Sequence, residues 1–318
     1  MKSKFKQVFE LFKESKSFLI GSHVNPDGDA IGSMLAIGLA LESLGKEVIM
    51  FSQDGVPENL SYLKASEKIS KTIPDKQFDV GILVDVASPD RAGDLFEKAR
   101  IKGPIVAIDH HRIENSEVDV VVVDEKASSA GEVVYKLLKE MKISITEEIA
   151  SAIYCSLVVD TGFFKYSNTS ADVLCLAAEL VGAGANPWTA ARNLEESYKL
   201  ERFYLLSKAL GTIKVHNNGK YATMDITQEM LISTGATVED TEEFASIPRS
   251  IKSVKASALF RETPDGKVRI SLRSKEDIDV ARVAGVFGGG GHQFAAGCTI
   301  VGTLDEAKEK IGFEINKC

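Results

Sequence analysis

The chain has 318 residues, 44% of them hydrophobic and 26% charged, and carries a formal charge of −8 at neutral pH. This is globular composition, long enough for two domains, without low-complexity or collagen-like tracts. An acidic balance argues against a binder of long double-stranded DNA, which needs an extended positive face, so any polyanion handled here should be short.

Lys4 to Lys16 sets Phe5, Val8, Phe9 and Phe12 at helical spacing among lysines and glutamates, which predicts an amphipathic helix on the outside of a sheet. The same charges leave no uncharged apolar core for a signal peptide. No apolar run approaches the roughly 18 residues needed to span a bilayer, so a cytoplasmic protein without membrane contact is expected. Cys155, Cys175, Cys298 and Cys318 form no C-x-x-C pair and read as reduced core thiols.

Phe18, Leu19 and Ile20 lead into GSHVNPDGD, Gly21 to Asp29. A helix follows from Ala30, with Gly45 as its C-cap and small residues Gly32, Ser33, Ala36 and Gly38 that let it press on the sheet. Glu47 to Phe51 reads as a strand, and Val56 to Thr72 as a loop with a short helix. Phe78 to Asp85 is a strand with no charge from Val80 until it ends in Asp85, and Ala87 to Arg91 a turn. Leu95 to Ile101 reads as helix, and Gly103 to His110 and Val118 to Asp124 as strands. Near-continuous apolar strands alternating with helices mark a parallel sheet buried on both faces. In such sheets the ligand sits at the carboxyl ends of the strands, near a topological switch point.

Ser129 to Leu180 predicts three helices, the first opened by Ser128 or Ser129 with Glu132 in a capping box. The second ends in Asp160, Thr161 and Gly162 after the apolar run Ala152 to Val159. An acid there is costly to bury unless something cationic sits beside it. After GAGANP (Gly182 to Pro187), Trp188 to Leu210 reads as one connecting helix. From Thr212 the pattern is hairpins, one around Asn-Gly and one around Pro-Asp-Gly, with acidic Val238 to Phe244 as a loop between them. Asp279 to Phe287 reads as a helix before GGGGH, Gly288 to His292.

The chemistry gathers at strand ends. His23, Asp27, Asp29, Asp85, His110 and Asp160 supply two imidazoles and four carboxylates, a donor set suited to manganese or magnesium rather than structural zinc. Four carboxylates neutralise two divalent cations and would otherwise repel one another. Two cations about 3.5 to 4 Å apart serve in-line attack on phosphorus, and Asp85, alone at the end of the central strand, is the natural bridge. His111, on the opposite side of an extended backbone from His110, is free to donate to a phosphate, while Asp109 orients a ligand. Asp27 and Asp29 read equally well as helix N-caps. The glycine run is either a mobile loop or a nest of bare N–H groups for an anion, with Arg269, Arg273, Ser274 and Arg282 in reach of the same pocket.

In this order, HVNPDGD, Asp85, Asp109-His110-His111, the DTG at Asp160 and GGGGH resemble the DHH phosphoesterase superfamily with its DHH-associated C-terminal domain. Length and domain content resemble its NrnA-like group. The resemblance implies an α/β fold: a parallel-sheet, Rossmann-like DHH domain over residues 1–186, a helical linker over 187–211, and a smaller α/β domain with a mixed sheet over 212–318. It implies a phosphodiesterase, exoribonuclease and nucleotide phosphatase. The substrates would be oligonucleotides of two to a few residues, linear dinucleotides and 3′-phosphoadenosine 5′-phosphate.

It also implies one cation on His23, Asp27 and Asp85 and a second on Asp29, Asp85, His110 and Asp160, with manganese preferred and magnesium the second choice. His111, with Asp85 and Asp109, would serve the scissile phosphate, and Arg273, Ser274, Gly289, Gly290, Gly291 and His292 the substrate's far end. Two alternatives stay open: a soluble cyclic-di-AMP phosphodiesterase, and a nucleotide-sensing module without turnover. The latter predicts a missing ligand, and none is missing. A nicotinamide-binding enzyme is excluded, because the first strand is followed by HVNPDGD and not by G-x-G-x-x-G. Oligomeric state, including a homodimer, is left open.

Overall fold

Apolar strands and the helices between them build the first part of the chain. In the computed structural model, which describes residues 2–113, 116–275 and 278–317, α1 (Lys2–Glu14) precedes β1 (Ser17–Gly21), α2 (Gly28–Ser43), β2 (Glu47–Phe51) and β3 (Ile69–Ser70). There follow β4 (Val80–Val84), α3 (Asp94–Glu97), β5 (Ile105–Asp109) and β6 (Val120–Val123). The helices α4 (Ala130–Glu140), α5 (Glu147–Asp160), α6 (Ala171–Gly182) and α7 (Pro187–Glu195) complete this unit, which ends at Ser197.

All strand pairs of its sheet are parallel, in the order β3-β2-β1-β4-β5-β6. The direction of winding reverses between β1 and β4, so their carboxyl ends flank the switch point. Every residue of β1 and β4 is buried. One face packs on Phe5, Val8 and Phe12 of α1 and on α2, α4 and α5; the other, which carries Leu19, Phe51, Leu83 and Ala107, packs on Phe78 and Phe96. A Cβ on Gly32 would stand 2.3 Å from the carbonyl oxygen of Ala152, so α2 and α5 approach as closely as glycine allows.

The second unit, Tyr198–Cys318, holds α8 (Leu200–Leu210), β7 (Lys214–His216), β8 (Tyr221–Ile226), α9 (Gln228–Thr234) and α10 (Ser246–Arg249). It continues with β9 (Ala256–Glu262), β10 (Lys267–Ser274), α11 (Val280–Gly285), β11 (Gly290–His292), β12 (Ala295–Val301) and α12 (Leu304–Ile315). Its sheet runs β11-β12-β10-β9-β8-β7 and is mixed, because β8 and β9 pair in parallel and the other neighbours antiparallel. α11 and α12 cover one face, and α8 and α9 pack on part of the other.

Three readings need correction, and one segment without an assignment acquires structure. Trp188 to Leu210 is not one helix: α7 stops at Glu195 and α8 starts at Leu200, and at the break the Ser197 hydroxyl donates to the Asn193 carbonyl. The glycine run is not a mobile loop, since its last part pairs with β12 as an edge strand. Cys155 and Cys298 are buried, but Cys175 lies exposed on α6; Cys318 lies outside the described residues. The segment after Phe294, unassigned from sequence, forms β12 and α12, the latter opened by a capping box of Thr303 and Glu306.

Candidate active site

The ends of β1, β4 and β5 carry the acids and imidazoles to one place, and the Ser22 hydroxyl ties the first two ends together by donating to Val84 O at 2.8 Å. Asp85 follows β4 with φ +56°, a left-handed conformation that a non-glycine residue adopts at a cost and that gathers at functional sites. It is buried, and its Oδ1 has no hydrogen-bond partner among the described residues. Burial, then the charges of Asp29, Asp27, Asp160 and Asp109, hold its carboxyl well above the ordinary range.

Both imidazoles beside it are held the same way. His23 turns Nδ1 to its neighbour's carbonyl, Val24 O, at 2.9 Å and Nε2 to Asp85 Oδ2 at 3.2 Å. His110 turns Nδ1 to Ala127 O at 3.3 Å, and its Nε2 lies 3.1 Å from Asp160 Oδ2, 3.6 Å from Asp29 Oδ2 and 3.7 Å from Asp85 Oδ1. A backbone carbonyl on Nδ1 fixes the tautomer that leaves the Nε2 lone pair for a cation.

Asp27 caps a helix and also faces the ligand cluster. Its Oδ1 caps α2 by accepting from the N–H groups of Asp29 and Ala30, and one of its carboxylate oxygens also lies within 4.8 Å of ligand atoms on His23 and Asp85. Asp29 is fully buried. It accepts from Ser33 Oγ, Ser156 Oγ and the N–H groups of Ala130 and Gly131, the first turn of α4, where the helix dipole favours an anion. Burial still outweighs these donors and raises its pKa. Asp160, at the last turn of α5, is pushed up to about 7 by burial and by Asp29. His110 is raised to about 9, because the hydrogen bond to Asp160 and the charge of Asp29 outweigh its burial.

Asp109 departs from expectation. Its Oδ1 accepts from the backbone N–H of His110 (2.7 Å), that of His111 (3.0 Å) and His111 Nδ1 (2.8 Å), so it orients His111 and not a ligand ring. Burial alone would raise this carboxyl, but the hydrogen bond and charge of His111 bring it below the ordinary value. By capturing both N–H groups, the carboxylate turns the chain out of the strand. The two histidine rings therefore do not alternate sides; their centroids lie 4.5 Å apart. His111 is 40% exposed at its side chain, and with Nδ1 on Asp109 its Nε2 is the nitrogen that can reach a ligand.

The ligating atoms fall into three groups, each within 4.8 Å: His23, Asp27 and Asp85; Asp29, His110 and Asp160; and Asp85, Asp109, His110 and His111. A bare carboxylate oxygen, raised acids and two pre-aimed imidazoles are what divalent cations would relieve, and the oxygen-rich donor set fits them.

Comparison with known proteins identifies the family. Residues 17–157 match the DHH family, N-terminal domain, and residues 218–317 the DHHA1 domain. The chain is 31% identical to a bifunctional oligoribonuclease and PAP phosphatase NrnA of Thermus thermophilus, over 97% of this chain and 92% of that protein. The chain belongs to the DHH family. It is accordingly a hydrolase of the phosphoesterase kind. A DHH relative of Bacillus subtilis named for the same two activities is 29% identical, over 92% of this chain and 91% of its own. The solved structure of an exopolyphosphatase-related protein from Bacteroides fragilis superposes with a TM-score of 0.91 at 28% identity, covering all of this chain and 96% of that one.

In the second unit of this DHH protein, Arg273 and His292 lie in one cross-strand row, joined through Ala295. Ser274, expected with them, is buried on the other face and donates to Ile278 O at 2.6 Å. Of the three glycines expected at the substrate's far end, Gly290 is open, whereas a Cβ on Gly289 or Gly291 would meet β12 backbone oxygens at 2.1 and 2.5 Å. Sequence reading missed Ser33, Ser156 and the start of α4. Ser33 was findable, four residues after Asp29 on one helix face; Ser156 and Ala130 were not, since they meet Asp29 across more than a hundred residues of chain. Among the described residues no helix is long and apolar enough to cross a membrane.

Proposed function

We propose that the chain hydrolyses phosphoester bonds of short nucleotides: oligoribonucleotides of two to a few residues, linear dinucleotides and 3′-phosphoadenosine 5′-phosphate. The observation that carries this reading is the gathering of four carboxylates and two imidazoles into adjoining ligand groups that share Asp85 and His110, with Asp85 Oδ1 buried and without a hydrogen bond. His23, Asp27 and Asp85 would hold one divalent cation, and Asp29, Asp85, His110 and Asp160 the other. Two such cations, manganese ahead of magnesium because of the imidazoles, supply an activated water and charge stabilisation at phosphorus.

The chain's own residues then have separable tasks. His111 presents Nε2 to a phosphoryl oxygen, and Asp109 holds the ring for it. Asp29 keeps its place because four donors fix it, so its carboxylate stays aimed at the second cation's site. Arg273, Gly290 and His292 hold the substrate's far end. The relatives named as oligoribonuclease and PAP phosphatase match over nearly the whole chain, which supports this substrate class.

The test is a timed assay of the purified protein with manganese on labelled dinucleotides, longer oligonucleotides, a cyclic dinucleotide and 3′-phosphoadenosine 5′-phosphate. Dinucleotides and the mononucleotide bisphosphate should be consumed fastest. Preference for the cyclic dinucleotide would replace this reading with the cyclic phosphodiesterase one, and no turnover with any of them would refute it.

A further inference from the structure

One face of β10 is sealed and the other is not. Val268, Ile270 and Leu272 point into the core under α11 and α12, so Arg269, Ser271 and Arg273 alternate onto the opposite face. Arg269 stands directly across from Arg261 on β9 and from Thr299 on β12. Arg273 stands across from Ala295 at the other end of this face. The row between them is Leu259, buried with residues of α8 and α9, then Ser271, Gly297 and Gly290, and nothing lies within 4 Å of where a Cβ on Gly290 would stand. Two arginine rows thus border a strip floored largely by backbone, the kind of place where another chain can approach closely.

The Arg261 and Arg269 pair is unfavourable for the protein alone. Like charges directly opposite on neighbouring strands destabilise a sheet. Among the described residues neither guanidinium has a hydrogen bond or an ion pair. Burial and the charge of Arg269 hold Arg261 below its ordinary pKa, and Glu239 offsets this only in part. Four residues along a strand span about 13 Å. A stacked single strand covers that distance in about four nucleotides at roughly 3.4 Å per step, and an extended one in fewer.

We propose that Arg261 and Arg269 form a second phosphate subsite, which holds the backbone of a single-stranded oligonucleotide beyond the phosphate at Arg273. The proposal rests on the reading of the chain as an oligonucleotide hydrolase and carries it past dinucleotides. It qualifies the expectation from net charge that any polyanion handled here should be short, because the positive charge here is local.

The test is fluorescence anisotropy of labelled pentaadenylate and diadenylate on the full-length, metal-chelated protein, with Arg261→Gln, Arg269→Gln and Arg269→Glu. Pentamer affinity should fall on the order of 10-fold in each Gln variant and further in Arg269→Glu, with the dimer unchanged. The salt slope should drop by about 0.7 for each phosphate that is no longer neutralised. Arg269→Glu should also melt no lower than the wild type, since it pairs with Arg261; a merely structural arginine would give the reverse. Equal losses for dimer and pentamer, no loss for either, or no pentamer binding by the wild type would overturn the subsite. Length-dependent loss of binding in a protein that hydrolyses no nucleotide would keep the subsite and remove the hydrolytic reading.

Discussion

Replacing Asp109 by Asn separates the positioning of His111 from the holding of cations. The Asn side-chain oxygen can still accept from the two backbone N–H groups that Asp109 captures, but it is neutral toward His111 Nδ1, now 2.8 Å from an ionised carboxylate. A hydrogen bond to a charged group contributes roughly 1.5 to 3 kcal/mol and a neutral one roughly 0.5 to 1.5. The difference, about 1 to 2 kcal/mol, predicts a fall in kcat of about 5- to 30-fold. Removing the ring itself with His111→Ala sets the ceiling, on the order of 10² to 10³. Cation content should not change, because His110 is oriented by Ala127 O and not by Asp109. The assay pairs steady-state hydrolysis of a dinucleotide with elemental analysis of the same preparation. A kcat within twofold of wild type, or a variant that has lost its cations, would refute this division of labour.

Asp27→Ala should destabilise by about 1 kcal/mol through loss of the α2 cap, whereas Asp27→Ser should keep the melting temperature and still lose a cation and turnover; retained activity in the serine variant would leave Asp27 a cap alone. Gly32→Ala forces a Cβ against Ala152 O and should cost about 1 to 3 kcal/mol in chemical denaturation, and an unchanged midpoint would mean that α2 and α5 have room to spare. The pH dependence has a definite sign. In the metal-free protein His110 is raised from 6.5 to about 9 and Asp160 from 3.8 to about 7. Each favours the folded state where it holds its proton, below the unfolded pKa, and loses that contribution as pH rises through the folded one. The melting temperature of chelated protein should therefore fall as pH rises from about 4 to about 9, and manganese should stabilise most at the alkaline end; a flat profile with chelator would contradict these shifts.

What the sequence disclosed was local. GSHVNPDGD and IVAIDHH combine an apolar strand with its terminal acids in one stretch, so periodicity and residue chemistry point to the same few positions. What it hid depends on pairing or on a side chain turning the backbone. The ring of His111 was misplaced because alternation was carried two residues past the end of β5, where Asp109 has already bent the chain. Ser274 falls on the face opposite Arg273 because neighbours along β10 alternate sides, and which of the two faces the core takes shows only in the packing under α11 and α12. The parallel pairing of β8 with β9 was equally hidden, since it joins segments separated by α9 and α10.

The central claim is that two cations share Asp85. Equilibrium titration of the metal-free protein with manganese, followed by elemental analysis after desalting, measures this directly. The account predicts two ions per chain in the wild type and fewer than one in Asp85→Ala, with both proteins folded by circular dichroism. One ion in the wild type, or two retained by Asp85→Ala, would contradict it.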